Sequence, residues 1–278
     1  MATLLRGPNL RHNVQSNRDK TMTVTQHLGE LRRRLLWAIA GTAVAAIGLA
    51  LQWRTLLRGV LFPLIFAKAG HLTWASWRQA WQAPWPAHSP LLTLSPTEPI
   101  FTLINLVLAA AIVVSSPLWL YEAWAYFAPV LPARHRRWAG GYLAAGLGLF
   151  WVGTAVAFLG IIPVSLKFLL TFSGGLFAEQ VRASAYLGFV TSFSLALGVI
   201  FALPALLAAA VKLGLLRAEQ LQRGRRMALF VSAFLAALVI PSPDPLTLIA
   251  ATAPIYALYE GTVQLARFIR PIGALREV

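Results

Sequence analysis

"TQHLGELRRRLLWAIAG", Thr25–Gly41, sets Glu30, Arg32, Arg33 and Arg34 at the start of a long apolar run. Glu30 precedes Arg33 and Arg34 by three and four residues, the spacing at which opposite charges meet on a helix and stabilise it by about 0.2–0.5 kcal/mol. A charged lip opening onto an unbroken apolar segment is how a helix passes from water into a bilayer. The composition agrees: of 278 residues 58% are hydrophobic and 12% charged, where soluble domains carry about a quarter charged residues. Mean hydropathy is +0.67. These values predict an integral membrane protein. The net charge of +15 would suit a nucleic-acid binder, but Lys and Arg flank apolar spans and form no continuous basic face, so no nucleic-acid partner is expected.

With a span length of about 20 residues in mind, six apolar segments stand out: Leu35–Gln52, Ile100–Tyr121, Ala139–Pro163, Ala185–Val211, Met227–Ile240 and Leu246–Gly261. The last two are short. The fold class expected is an all-α membrane protein of six transmembrane helices. Arg54–Pro90 reads as an outer-face loop with helical pieces, where Trp74, Trp77, Trp81 and Trp85 would make one interfacial aromatic stripe. Of the 24 Lys and Arg, 18 fall in the two tails and the loops on one side. The positive-inside rule then places both termini in the cytoplasm. Residues 1–22 read as a polar cytoplasmic tail without the apolar core of a signal peptide, 23–270 as one transmembrane domain and 271–278 as a second tail. Met22 is the expected start of translation, which N-terminal sequencing checks.

Acidic residues at span ends carry more information than any others, because an ionised group in hydrocarbon is costly. They are Glu98, Glu122, Asp244 and Glu260. For Glu122 and Glu260 two readings stay open: a functional contact, or plain solvation or pairing with a nearby arginine. Asp244, followed by Pro245, suits an N-cap of the last span. No charged residue lies at the centre of a span, which argues against an ion-coupled transporter with a midplane site. There is no GxxxxGK[ST], HExxH or GxSxG, the five histidines lack metal-ligand spacing, and there is no cysteine. No cofactor, metal or enzymatic activity is expected. A small polytopic solute transporter is the alternative, and a lipid-modifying enzyme would have only Glu122 and Glu260 to work with.

"HLGELRRRLL" from His27, "FPL" from Phe62, "SPTEPIFTLI" from Ser95, "PLWLYEAWAYFAPVLPARHRR" from Pro117, "YLGFVTSF" with "GVIFALP" between Tyr186 and Pro204, and "PSPDPLTLIAATAPIYALYE" ending at Glu260 resemble, in order and spacing, the TatC family. TatC is the multispanning subunit of the twin-arginine protein translocase, and the resemblance runs from Thr23 to about Arg270. It implies a receptor in the prokaryotic inner membrane that binds twin-arginine signal peptides of folded precursors. It further implies recruitment of TatA/TatB-type single-span subunits, self-association, and transport driven by the proton-motive force. The positions implied for signal-peptide binding are Glu30 with Leu31, Arg32 and Arg34, and Tyr126, His135 and Arg137. Pro63, Glu98, Pro117, Asp244 and Glu260 are implied as partner-binding or structural. At Glu30, neighbouring arginines would be exchanged for a ligand guanidinium. The chain departs from the family at His135, where a glutamate is usual, at Ala202, where the fourth span commonly has an acid, and at Leu248, usually glutamine.

Overall fold

The computed structural model describes residues 24–68, 78, 91–130, 133–172, 180–214, 216–239 and 245–267. Nearly all of them are helical. The helices are α1 (Val24–Leu51), α2 (Trp53–Lys68), α3 (Glu98–Phe127), α4 (Ala133–Val156), α5 (Ile162–Phe172), α6 (Ala183–Lys212), α7 (Ala218–Arg223), α8 (Arg225–Val239) and α9 (Pro245–Ala266). A short 3₁₀ turn, Ala128–Val130, follows α3. Among the described residues, five helical rods are long and apolar enough to cross a membrane: Leu28–Leu51, Glu98–Tyr126, Trp138–Phe172, Ala183–Lys212 and Pro245–Ala266. α8, at 15 residues, is about 22 Å long and falls short of that length.

α6 is the centre of the bundle and packs against α3, α4 and α9, while α1 leans on α3, α2 on α5 and α8 on α9. The reason lies in its sequence: Tyr186, Leu187, Val190, Phe193, Leu197, Ile200 and Phe201 recur at helical spacing and are all buried. Its closest neighbour is α4, and two glycines permit the approach. A methyl group at Gly153 would come within 2.5 Å of Phe201 Cβ, and one at Gly198 within 2.5 Å of Thr154 Oγ1. Small residues at such crossings let backbones meet in lipid.

α4 runs into α5 through a widened π turn, Ala157–Ile161. Pro163 has no N–H to give to the carbonyl four residues back, and a helix commonly relieves that loss with such a bulge. The continuous rod Trp138–Phe172 has 35 residues, about 52 Å against a hydrocarbon core of about 30 Å. Its far end, α5, therefore stands beyond the span expected at Ala139–Pro163 and packs on α2.

One of the helical pieces expected after Arg54 is α2, an intact helix because Leu61, Phe62, Leu64 and Phe66 bury one of its faces. Two further differences from the sequence reading have physical causes. Leu91–Leu92 pairs in parallel with Val181–Arg182, a two-strand contact that the all-α expectation did not include. α9 is not short: it continues past Glu260 to Ala266 because Val263 and Ala266 pack with Val211 and Leu221. The four tryptophans from Trp74 to Trp85, both tails and Asp244 lie outside the described residues.

Candidate functional site: a carboxylate pair around one guanidinium

The site is built by two antiparallel stripes. On α1, Glu30, Arg34, Ala38 and Thr42 follow one another at four-residue steps and so share a face. On α3, Ser115, Trp119 and Glu122 do the same at steps of four and three. The stripes meet at Thr42, whose hydroxyl lies 2.9 Å from that of Ser115 and accepts a hydrogen bond from Trp119 Nε1 at 2.8 Å. Ala38 is buried between the helices. This polar clamp between α1 and α3 fixes the register, and two turns further along it brings Arg34 opposite Glu122.

Arg34 then bridges two carboxylates. Its Nη2 and Nε donate to Glu30 Oε1 at 2.6 and 3.1 Å, and its Nη1 donates to Glu122 Oε2 at 3.3 Å. The side chains are 20% exposed for Arg34 and 15% for each glutamate, so the cluster is shielded yet reachable from outside. Shielding strengthens charge-assisted hydrogen bonds relative to water. Arg34 thus joins Glu30 on α1 to Glu122 on α3.

Of the two arginines within helical reach of Glu30, Arg34 takes the carboxylate, while Arg32 and Arg33 are exposed, as is Leu31. Tyr126 is half-buried one turn beyond Glu122. His135 and Arg137 belong to the first turns of α4, but their side chains lie outside the described set. Arg136 Nε donates to the Ala128 carbonyl at 2.8 Å and ties the start of α4 back to the end of α3. Glu122 is one of the two residues, with Glu260, whose place the sequence left undecided. The signal that would have found it is topological: it closes one helix as Arg34 opens another, and the two helices run antiparallel.

The other implied positions fall elsewhere. Glu98 is buried at the far end of α3: its Oε1 accepts from Arg182 Nε at 2.9 Å and from the Ser184 N–H at 3.2 Å, and its Oε2 from the Leu94 N–H at 2.8 Å. Glu260 Oε1 accepts from Arg225 Nη2 at 2.6 Å and links α8 to α9. Pro63 is buried on α2, and Pro117 is exposed on α3.

The family model described as Sec-independent protein translocase protein (TatC) matches residues 26–254. The chain is 34% identical to a protein of that name from Xylanimonas cellulosilytica, over 90% of this chain and 85% of the relative. It is 30% identical to its namesake from Deinococcus radiodurans, over 89% and 86%. Among solved structures, a crystal structure of a twin-arginine translocase receptor TatC superposes with a TM-score of 0.69 at 27% identity, covering 87% of this chain and 99% of the other.

Proposed function

The chain belongs to the TatC family of Sec-independent protein translocase subunits, and from that premise we propose that it is the receptor and core subunit of a twin-arginine translocase. It binds the twin-arginine signal peptides of folded precursors at the end of the bundle that carries Glu30. It then recruits single-span subunits of the TatA/TatB type, and the proton-motive force drives transport. It lies in the inner membrane of a prokaryote with six spans and both termini in the cytoplasm, the arrangement that the distribution of Lys and Arg favours. α8 supplies the sixth span despite its length.

The observation that carries the receptor reading is the state of Glu30. Its carboxylate already holds a guanidinium in two charge-assisted hydrogen bonds while keeping part of its surface exposed. Such a group needs no reorganisation to hold the guanidinium of a ligand instead. Glu30→Ala and Glu30→Arg are expected to abolish photo-crosslinking of twin-arginine peptides to membranes containing the full chain. Unchanged crosslinking in both would refute the reading.

A further inference from the structure

We propose that the first turns of α2 hold the headgroup of an anionic phospholipid, in the leaflet at the end of the bundle opposite to Glu30. Arg54 comes 20 residues after Arg34, about 30 Å of helical rise and the thickness of the hydrocarbon core. With Arg34 at one surface of the bilayer, Arg54 and Arg58 therefore stand at the level of the phosphates of the other. On the topology proposed above that surface is the outer one, where basic residues beside a span are disfavoured. Two exposed arginines one turn apart thus depart from the charge pattern of the rest of the chain, and neither belongs to the Glu30 site.

Trp53, Arg54, Leu57 and Arg58 line one cleft of about 240 Å³, smaller than the roughly 300–1,000 Å³ of sites for drug-sized ligands and suited to a small headgroup. The Arg54 guanidinium lies over the Trp53 ring, 5.4 Å from its centroid. That contact draws on the charge of the group and leaves N–H donors for the oxygens of a phosphodiester, which a guanidinium binds as a fork. Arg58 has a contact of its own, but a guanidinium has five N–H donors, and its charge attracts an anion in the cleft whichever of them are used. Trp53 and Leu57 supply the apolar wall that the glycerol and upper acyl chains of a lipid need and a free phosphate does not. The acyl chains then find lipid-facing surface on α1, where Val44, Ile47 and Leu51 follow one another at steps of three and four and are from 64% to 82% exposed. α1 is also the least buried of the five long rods, so lipid, more than protein, surrounds this corner of the bundle.

The test uses the full chain in detergent, titrated with phosphatidylglycerol or phosphatidylcholine of identical acyl chains and read by native mass spectrometry, with thermal unfolding measured alongside. Wild type is expected to take up one phosphatidylglycerol in preference to phosphatidylcholine; no preference overturns the proposal. Arg54→Gln and Arg58→Gln are each expected to weaken that uptake about fivefold, the worth of one basic residue beside an anionic lipid surface, and the double variant to lose the preference. Both side chains are exposed, so these variants are expected to fold. Arg223→Gln with Arg226→Gln removes the same charge from exposed positions at the other end of the bundle and is expected to keep the preference. Equal loss in the two double variants would mean that net charge alone attracts the lipid, and an unchanged preference without Arg54 and Arg58 that the two arginines only reach for the interface; either result overturns the site. Displacement of the lipid by inorganic phosphate at constant ionic strength also overturns it, because the cleft is then a phosphate site. Trp53→Ala separates the cleft from a bare pair of charges: it is expected to weaken uptake of phosphatidylglycerol, and unchanged uptake would sink the cleft as a lipid site.

Discussion

Glu98 shows how one buried carboxylate organises a rim of the bundle. Both of its oxygens accept hydrogen bonds and neither faces another acceptor: Arg182 Nε and the Ser184 N–H meet one, the Leu94 N–H the other. Glutamine has the same shape, but whichever way its amide turns, an NH₂ group points at a donor. Glu98→Gln is therefore expected to lower the melting temperature in detergent, and Glu98→Ala to lower it further by leaving two backbone N–H groups without their acceptor. Arg182→Ala has the smallest effect, because the arginine is half exposed and can be replaced by water. The peptide binding proposed at Glu30 is expected to be unchanged in all three, since Glu98 and Glu30 sit at opposite ends of the paired helices α3 and α1. A melting temperature lower in Arg182→Ala than in Glu98→Ala would contradict this account. None of this was legible in the chain, because Arg182 lies 84 residues from Glu98 and it takes the packing of α3 on α6 and the pairing of Leu91–Leu92 with Val181–Arg182 to bring the two together. The pair Glu30–Arg34 was legible, being four residues apart on one helix. Glu122 belongs to the first kind: its partner is 88 residues away.

At the scale of the helices, hydropathy found each of the five long rods among the described residues and misjudged where three of them end, α3 among them, which runs to Phe127 and not Tyr121. A polar residue dilutes an apolar window, so the last span was closed at Gly261, just past Glu260. The helix continues because its opposite face is buried by Val263 and Ala266 against neighbours that no local window contains. Likewise the Ala139 segment was cut at Pro163, whereas a π turn carries the rod across it. The crossing of α4 and α6 is where helix geometry becomes a testable energy. Gly153→Ala would force its new methyl against Phe201 Cβ and the Leu197 carbonyl, at 2.5 and 2.9 Å, and the backbone oxygen cannot turn aside. The cost expected is about 1–3 kcal/mol of overpacking. Gly148→Ala, five residues earlier on the same helix, meets nothing within 4 Å and should be neutral or stabilising by up to about 1 kcal/mol from helix propensity. Denaturation in mixed micelles of the two variants side by side checks this. Equal loss in both would mean that the α4–α6 contact is not close-packed.

For the whole molecule in a bilayer, the unresolved demand is made by α8. Its 15 residues reach about 22 Å where the hydrocarbon is about 30 Å thick, while its partner α9 has 22 residues and spans with ease. Tilt shortens reach and cannot help, so either the bilayer thins beside α8 or another helix covers it. The exposed face favours cover. Met227, Phe230, Val231, Phe234 and Leu238 form one stripe at helical spacing, from 43% to 72% exposed, whereas Ser232 and Ala236 on the other face are buried. A single-span partner laid along that stripe would bury large apolar side chains and close the short edge of the bundle. The chain has no cysteine, so single substitutions report without background. Cysteines at Phe230, Phe234 and Leu238 are expected to form disulfides with matched cysteines in the transmembrane helix of a TatA/TatB-type subunit, and cysteines at Ser232 and Ala236 to form none. Spin labels at the same stripe should show a shallower bilayer in the absence of the partner than in its presence. Disulfides from Ser232 as readily as from Phe234, or none from the stripe together with ordinary bilayer depth around it, would leave α8 without a docking role and require its ends to reach the interface through Arg225 and Arg226 instead.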